Sequence, residues 1–347
     1  MTRSGFWSHP SLAGTDIPVG LQLSLGEGDT PIEPCADEPS LLLKREDANP
    51  SGSHKDRAAC YQVARAASRG DSAVVISSSG NAAIATSRYA AAHGLDALIF
   101  VHPDTEPAKL AAIDGATTTL VVTARTINSA KRVSVALRVP NLRPSVHDDA
   151  LCGYATLGDE LIDADIDTLV IFATSGATAI AAGQVLQRER PDVQLHFVQG
   201  EGNAQLAAPA SAGDIPDTAN SPAAAGRLGV RRSRRGDQLL EVVAATGGLG
   251  WVASHDDVAQ ARTRLIELGI ESGDESAANL AIASRLVEQG RKVACIISGA
   301  PPHPTSTGPL RVVHADDEWH AIDQLQAHFP ALADAARPRT APVQSTE

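Results

Sequence analysis

Short apolar runs alternate with longer alanine-rich stretches along most of this chain, and that alternation restricts the fold more than any other feature. The runs at 41–44, 73–77, 97–101, 119–122, 168–173, 194–198 and 292–297 are each four to six residues long and rich in β-branched side chains. Continuous apolar runs of that length suit strands of a parallel sheet covered on both faces. Between them, residues 55–68, 82–92, 107–113, 155–162, 177–189, 255–268 and 277–289 carry helical patterns. Strand–helix alternation of this kind predicts doubly wound α/β architecture. A chain of 347 residues has room for two such domains, or for one large one.

Composition narrows the function classes. Hydrophobic residues make up 43% and charged residues 20%, a globular balance that excludes disorder for most of the length. Aromatics are only 3%, so the core must rest on Ala, Val, Leu and Ile. The formal net charge of −12 repels phosphate backbones, and no nucleic-acid partner is expected. Cys35, Cys60, Cys152 and Cys295 are scattered without CxxC spacing. That argues against a bound metal and against a disulfide framework, and it fits a reducing cytoplasm. The first twenty residues lack the apolar run of a signal peptide, and no stretch reaches the roughly 18 apolar residues of a membrane span. Residues 201–236, rich in small, polar and proline residues, read as a surface loop. Arg231, Arg232, Arg234 and Arg235 close that loop, as a solvated cluster or alternatively as an anion site or oligomer contact. Residues 337–347 read as a frayed, disordered tail.

Four polar turns, each directly after a predicted strand, carry the candidate chemistry. In 41–57, LLLKREDANPSGSHKDR, a strand runs into an Asn/Pro/Ser/Gly turn and a helix opens near Ser53. Lys55 then sits in the first helical turn, where the positive end of the helix dipole disfavours an ammonium. A neutral amine is easier to reach there, which suits covalent chemistry with a carbonyl; an ordinary surface lysine is the other reading. In 73–92, Ser78, Ser79, Gly80 and Asn81 precede a helix whose N-terminus can hold a carboxylate, or whose polar residues simply cap it. In 169–183, Thr174, Ser175, Gly176, Ala177 and Thr178 form a small-residue turn that lets backbone approach a phosphate. It is neither a Walker loop nor GxGxxG. The last run, 292–299, ends in Ser298 and Gly299. Ligands of open α/β sheets sit at the carboxyl ends of strands, so the four turns are expected to gather at one edge.

Taken together, these segments resemble the fold-type-II pyridoxal-phosphate enzymes: threonine synthase, cysteine synthase, the threonine and serine dehydratases and tryptophan synthase β. NPSGSHKDR (49–57) resembles their lysine segment, SSSGN (77–81) their substrate-carboxylate loop, TSGAT (174–178) stands where they keep a phosphate cup, and the order holds over residues 20–305. The resemblance implies two doubly wound, parallel-type sheets, tryptophan synthase β-like, with pyridoxal 5′-phosphate between domains. It implies Lys55 as the Schiff-base lysine and Asn81 beside the cofactor's 3′-oxygen. Residues 174–178 would hold the phosphate, and Ser298 would face the pyridine nitrogen. The implied domains are 1–70 with 155–330, larger and cofactor-binding, and 71–154, smaller and substrate-binding.

CGYATLGDEL (152–161) resembles the group's Glu-Gly-Tyr-x-Thr helix, and SLGEGDTPIEP (24–34) resembles the threonine synthase opening in particular, whereas Ser298 stands where threonine synthases usually carry Thr and TSGAT lies nearer the cysteine synthase form. The implied reaction is elimination or replacement on an amino acid: threonine synthase-like, from O-phosphohomoserine to threonine plus phosphate. A β-eliminating or β-replacing enzyme is the alternative, either serine/threonine dehydratase-like or a synthase of a nonproteinogenic amino acid. A non-catalytic cofactor-binding homologue is a further one. A phosphorylated substrate brings nearly two negative charges and needs a basic pocket, for which Arg57 and Arg88 flank the two best motifs. A cytoplasmic homodimer is what the family implies.

Overall fold

The computed structural model describes residues 5–207, 223–225, 234–304, 308 and 310–329. Most of the expected loop 201–236, Arg231 and Arg232 in its basic cluster, and the expected tail 337–347 lie outside the described residues. The strands are β1 (Ile32–Cys35), β2 (Glu38–Arg45), β3 (Ala73–Ser77), β4 (Asp96–Val101), β5 (Thr118–Val122), β6 (Thr168–Phe172), β7 (Gln194–Gly200), β8 (Gly250–Ala253), β9 (Val293–Ile297) and β10 (Arg311–His314). They form two mostly parallel sheets, in agreement with the expected α/β class.

The chain divides into two compact units, Met1–Arg65 with Pro144–His303 and Ala66–Arg143 with Pro304–Glu347. The first carries six strands in the order β1-β2-β9-β6-β7-β8. All neighbours in it are parallel except β1, which pairs antiparallel with β2. Alternate residues serve opposite faces, because side chains along a strand alternate. Leu41, Leu43, Val170, Cys295 and Ile297 pack with Val258, Leu265, Leu280 and Ile282 from helices His255–Glu267 and Asp274–Glu288. Leu169, Ile171, Leu195, Phe197, Ala294 and Ile296 pack on the other face with Leu157, Ile180, Leu186 and Leu239. Burial on both faces is why these strands read as unbroken apolar runs rather than as alternating ones.

The second unit holds the parallel sheet β10-β5-β4-β3. Its core joins Val75, Leu98, Phe100 and Val121 to Val133 and Leu137 of helix Thr126–Leu137, and to Ile322 and Leu325 of helix Glu318–His328. β10 lies inside the 155–330 stretch that the sequence reading gave to the larger domain, yet it pairs with β5 from Arg311↔Thr119 to His314↔Val122.

Among the described residues, three strands and three helices lie outside the expected set. β1, β8 and β10 are only four residues long, too short to show a period. Helices Thr126–Leu137 and Glu318–His328 escape because branched, aromatic and polar residues weaken their apparent propensity. Helix Gly236–Ala245 follows the loop and opens on a glycine. The helix expected at 155–162 instead spans Asp149–Asp159. Gly153 in its interior reads as a breaker, but a Cβ there would stand 2.1 Å from the Arg57 carbonyl oxygen. Close packing against helix Lys55–Ser68 demands glycine and outweighs its roughly 1 kcal/mol propensity penalty.

Candidate active site

Three of the four polar turns leave the carboxyl ends of three adjacent parallel strands, β2, β9 and β6. After β2 the chain makes a short 3₁₀ turn, Glu46–Ala48, and bends at Gly52, whose φ of 84° favours glycine. Helix Lys55–Ser68 then begins on Lys55 itself, as expected. The turn after β9 is tied to this segment. Ser53 bridges to Gly299, and the Ala300 N–H donates to the Gly52 carbonyl at 2.9 Å.

His54 joins the two turns at the chemical centre. Its backbone N–H donates to the Ser298 carbonyl at 3.1 Å, and its Nδ1 lies 2.8 Å from the same oxygen. A carbonyl oxygen only accepts, so Nδ1 carries the proton and Nε2 keeps its lone pair. Nε2 stands 2.7 Å from Lys55 Nζ. Burial, with the Lys55 charge as a further cause, pushes the imidazole down to about 3, so His54 is neutral at physiological pH. Lys55 Nζ also sits 5.6 Å from the centroid of the Tyr154 ring, and the His54 ring 5.8 Å from it. Tyr154 belongs in turn to an apolar cluster with Ala58, Ala177 and Ala181, which includes the first residue of helix Ala177–Glu189.

Ser298 is buried, with its N–H donated to Ser276 Oγ at 2.8 Å and its Oγ 3.5 Å from Asn279 Nδ2. The turn after β6 ends at Gly176, which precedes helix Ala177–Glu189 in a left-handed conformation and gives that helix no side-chain cap. Its first N–H groups, with Thr174 and Ser175 half-buried and Ala177 and Thr178 buried, form an N-terminus suited to an anion. Ser78, Ser79, Gly80 and Asn81 follow β3 in the second unit, where Asn81 opens helix Asn81–His93 without a side-chain cap. Arg88 lies about two turns further along that helix, half-buried.

Arg57 is placed differently from the expectation. It is 0% exposed. Its Nε and Nη2 donate to the two oxygens of Glu46 at 2.7 Å each, and Nη1 and Nη2 donate to Glu160 at 2.6 and 2.8 Å. Thr156 and Thr30 accept as well, and buried Lys44 pairs with Glu160. Two carboxylates and two threonine hydroxyls thus consume the donors of Arg57, and none is left for a substrate phosphate. The 24–34 segment feeds the same network: Thr30 Oγ1 donates to Glu46 at 2.6 Å, and the Asp29 N–H to Glu160 at 2.8 Å. The Gly28 N–H donates to Asn49 Oδ1 at 3.0 Å, so two of the sequence motifs meet in the foundation of the lysine helix.

Residues 23–299 match the pyridoxal-phosphate dependent enzyme family. The chain belongs to that family. Its members' cofactor is pyridoxal 5′-phosphate, and it is the cofactor here. Biosynthetic L-threonine dehydratase of Haemophilus influenzae is 26% identical over 273 residues, covering 75% of this chain and 53% of the dehydratase. This chain therefore spans about half the length of that relative. Threonine synthase of Methanosarcina acetivorans is 24% identical, over 95% of this chain and 86% of its own. Among solved structures, maize serine racemase superposes with a TM-score of 0.66 at 19% identity, over 87% of this chain and 93% of its own, which shows a shared fold.

The residues present fit this family's cofactor. The Tyr154 hydroxyl and Asn279 Oδ1 are buried without a hydrogen-bond partner among the described residues. Leaving such a group unpaired costs about 1–3 kcal/mol, which a polar ligand would recover. The helix at Ala177 starts without a side-chain cap, and Lys55 is half-buried, so the first unit also offers an anion-suited N-terminus and an accessible amine. His54, Tyr154, Ser276 and Asn279 were not singled out from the sequence. His54 and Tyr154 stand inside quoted motifs, but their partners are distant in sequence.

Proposed function

We propose that this enzyme carries out elimination or replacement on the side chain of an amino acid with an oxygen leaving group. The observation that carries the reading is the half-buried Lys55 amine, held at the carboxyl edge of the sheet by His54, whose other ring nitrogen is fixed on Ser298.

Pyridoxal phosphate, when bound, withdraws electrons from the substrate Cα. Lys55 Nζ holds the cofactor and then moves the Cα proton. The N–H groups at 175–178, with Thr174, bind the phosphate at the positive end of helix Ala177–Glu189. Ser298 would offer the ring nitrogen a neutral hydroxyl that does not force a proton onto it, which would favour loss of a leaving group over transamination. Ser78, Ser79, Gly80 and Asn81, at the start of helix Asn81–His93, would take the substrate carboxylate. Arg88 is the remaining candidate for a substrate anion. No described helix is long and apolar enough to cross a membrane, and a cytoplasmic homodimer acting on a free amino acid is the accompanying reading.

The threonine synthase-like reaction, O-phosphohomoserine to threonine plus phosphate, is supported by similarity to the Methanosarcina enzyme along nearly the whole chain. One observation favours a second reading, dehydration of serine or threonine: Arg57 is spent on Glu46 and Glu160, which removes a cation from the expected phosphate pocket. Incubation with O-phosphohomoserine, O-phosphoserine, serine and threonine separates the two. Release of phosphate with formation of threonine supports the first. Formation of 2-oxoacid and ammonia from serine or threonine alone replaces it with the second.

A further inference from the structure

We propose that His54 is a positioning residue for Lys55, a hydrogen-bond acceptor of fixed tautomer that orients the amine and ties it to the turn carrying Ser298. The proposal rests on the reading of Lys55 as the cofactor lysine, and it adds a role for the residue immediately before it.

The geometry runs through one ring. The Ser298 carbonyl receives both the backbone N–H of His54, at 3.1 Å, and its Nδ1–H, at 2.8 Å. Two donors from one residue on one oxygen leave the imidazole little freedom to rotate or to change tautomer. Nε2, 2.7 Å from Lys55 Nζ, is then a permanent acceptor. Exposure of His54 is only 8%, and the Tyr154 ring beside it, itself fully buried, closes another side of the lysine. A lysine chain has four rotatable bonds and ranges widely when unheld. One N–H directed at Nε2 fixes which way the rest of the amine faces. When Lys55 is neutral, that bond persists and the nitrogen lone pair points away from His54.

The same contact bears on reactivity. While one N–H is held on Nε2 the amine cannot turn freely towards an incoming electrophile, so removing the acceptor leaves it freer to react. Asparagine and glutamine divide the two functions of the ring. The amide of asparagine reaches about as far as Nδ1 and keeps a donor for Ser298, with nothing at Lys55. The longer glutamine places its oxygen near the Nε2 position.

The test uses the full chain stripped of cofactor, with acetic anhydride as the amine probe and mass spectrometry to read acetylation at Lys55. His54→Asn is expected to speed labelling of Lys55 about five- to tenfold at pH 7, the scale of one lost hydrogen bond of about 1 kcal/mol. His54→Gln should return it to within about twofold of the wild type. Labelling of Lys55 at the wild-type rate in both variants overturns the proposal. A second measurement needs no variant. In wild-type protein with ¹⁵N-labelled histidine, ring shifts should report the Nδ1–H tautomer for His54, and an Nε2–H tautomer overturns the proposal even if both variants misfold. Cofactor capture is scored separately. If wild-type protein captures no pyridoxal phosphate on Lys55 while labelling still depends on His54, the functional reading falls and the His54–Lys55 coupling stands.

Discussion

Arg57 grips both carboxylate oxygens of Glu46, Nε to Oε2 and Nη2 to Oε1, each at 2.7 Å, where neither side chain is exposed. Glu160 and Lys44 complete a buried set of two cations and two anions. Taking charges out of water is costly, and only near-complete pairing offsets it. The helix that begins with Lys55 is therefore anchored two residues later, at Arg57, by a network whose members come from 30, 44, 46, 156 and 160.

Breaking this network should be felt in stability. Arg57→Ala strips buried Glu46 of its ion-pair partner and leaves Glu160 to Lys44, and is expected to cost about 3–5 kcal/mol, measured by urea unfolding. Were Arg57 a surface residue reserved for substrate phosphate, the midpoint would barely move.

Acid should weaken the fold through two buried histidines. The His54 pKa is lowered from 6.5 to about 3 and that of His196 to about 4, both chiefly by burial. His196 Nδ1 accepts from Trp251 Nε1 at 2.9 Å and from the Leu249 N–H at 3.2 Å, bonds that a proton there would break. A base with a depressed folded pKa binds its proton more readily when unfolded. Its contribution is complete above pH 6.5 and is lost as pH falls from 6.5 towards the folded value. Each histidine should remove about 2 kcal/mol between pH 7.5 and pH 5. Unfolding free energies at the two pH values check this, and His54→Asn should abolish about half of the loss. Stability unchanged across that interval would show that the histidines are not buried and neutral.

The phosphate-binding reading of the 174–178 turn makes a charge-specific prediction. Gly176→Asp and Gly176→Asn suffer the same strain, because φ is 86° and a Cβ would come to 3.0 Å from Leu239 Cδ2. Only the aspartate adds a negative charge beside the expected phosphate. Equilibrium dialysis with pyridoxal phosphate should show at least tenfold weaker binding for Gly176→Asp than for Gly176→Asn, an energy of about 1.4 kcal/mol or more. Equal affinities would place the phosphate elsewhere.

The strands of both sheets were largely legible because continuous apolar runs have one economical explanation, a parallel sheet covered on both faces. Lys55, Gly176 and Ser298 were legible as turn residues after such strands. Arg57 was misread because a charged residue beside a motif looks available. Its burial depends on Glu46, Thr156 and Glu160, and nothing in the local sequence reports that pairing. SLGEGDTPIEP illustrates the same limit. Its Thr30 serves Glu46 and its Asp29 N–H serves Glu160, so a motif that reads as a substrate signature does structural work. His54 needed the structure for a different reason, since the Ser298 carbonyl that fixes its tautomer lies 244 residues away.

Trapping the cofactor tests the central claim most directly. Purified enzyme loaded with pyridoxal phosphate is reduced with borohydride, digested, and mapped by mass spectrometry. The cofactor is expected on Lys55, within the segment NPSGSHKDR, with Lys55→Ala protein remaining unlabelled. Cofactor fixed to any other lysine, or none fixed by wild-type protein, would contradict it.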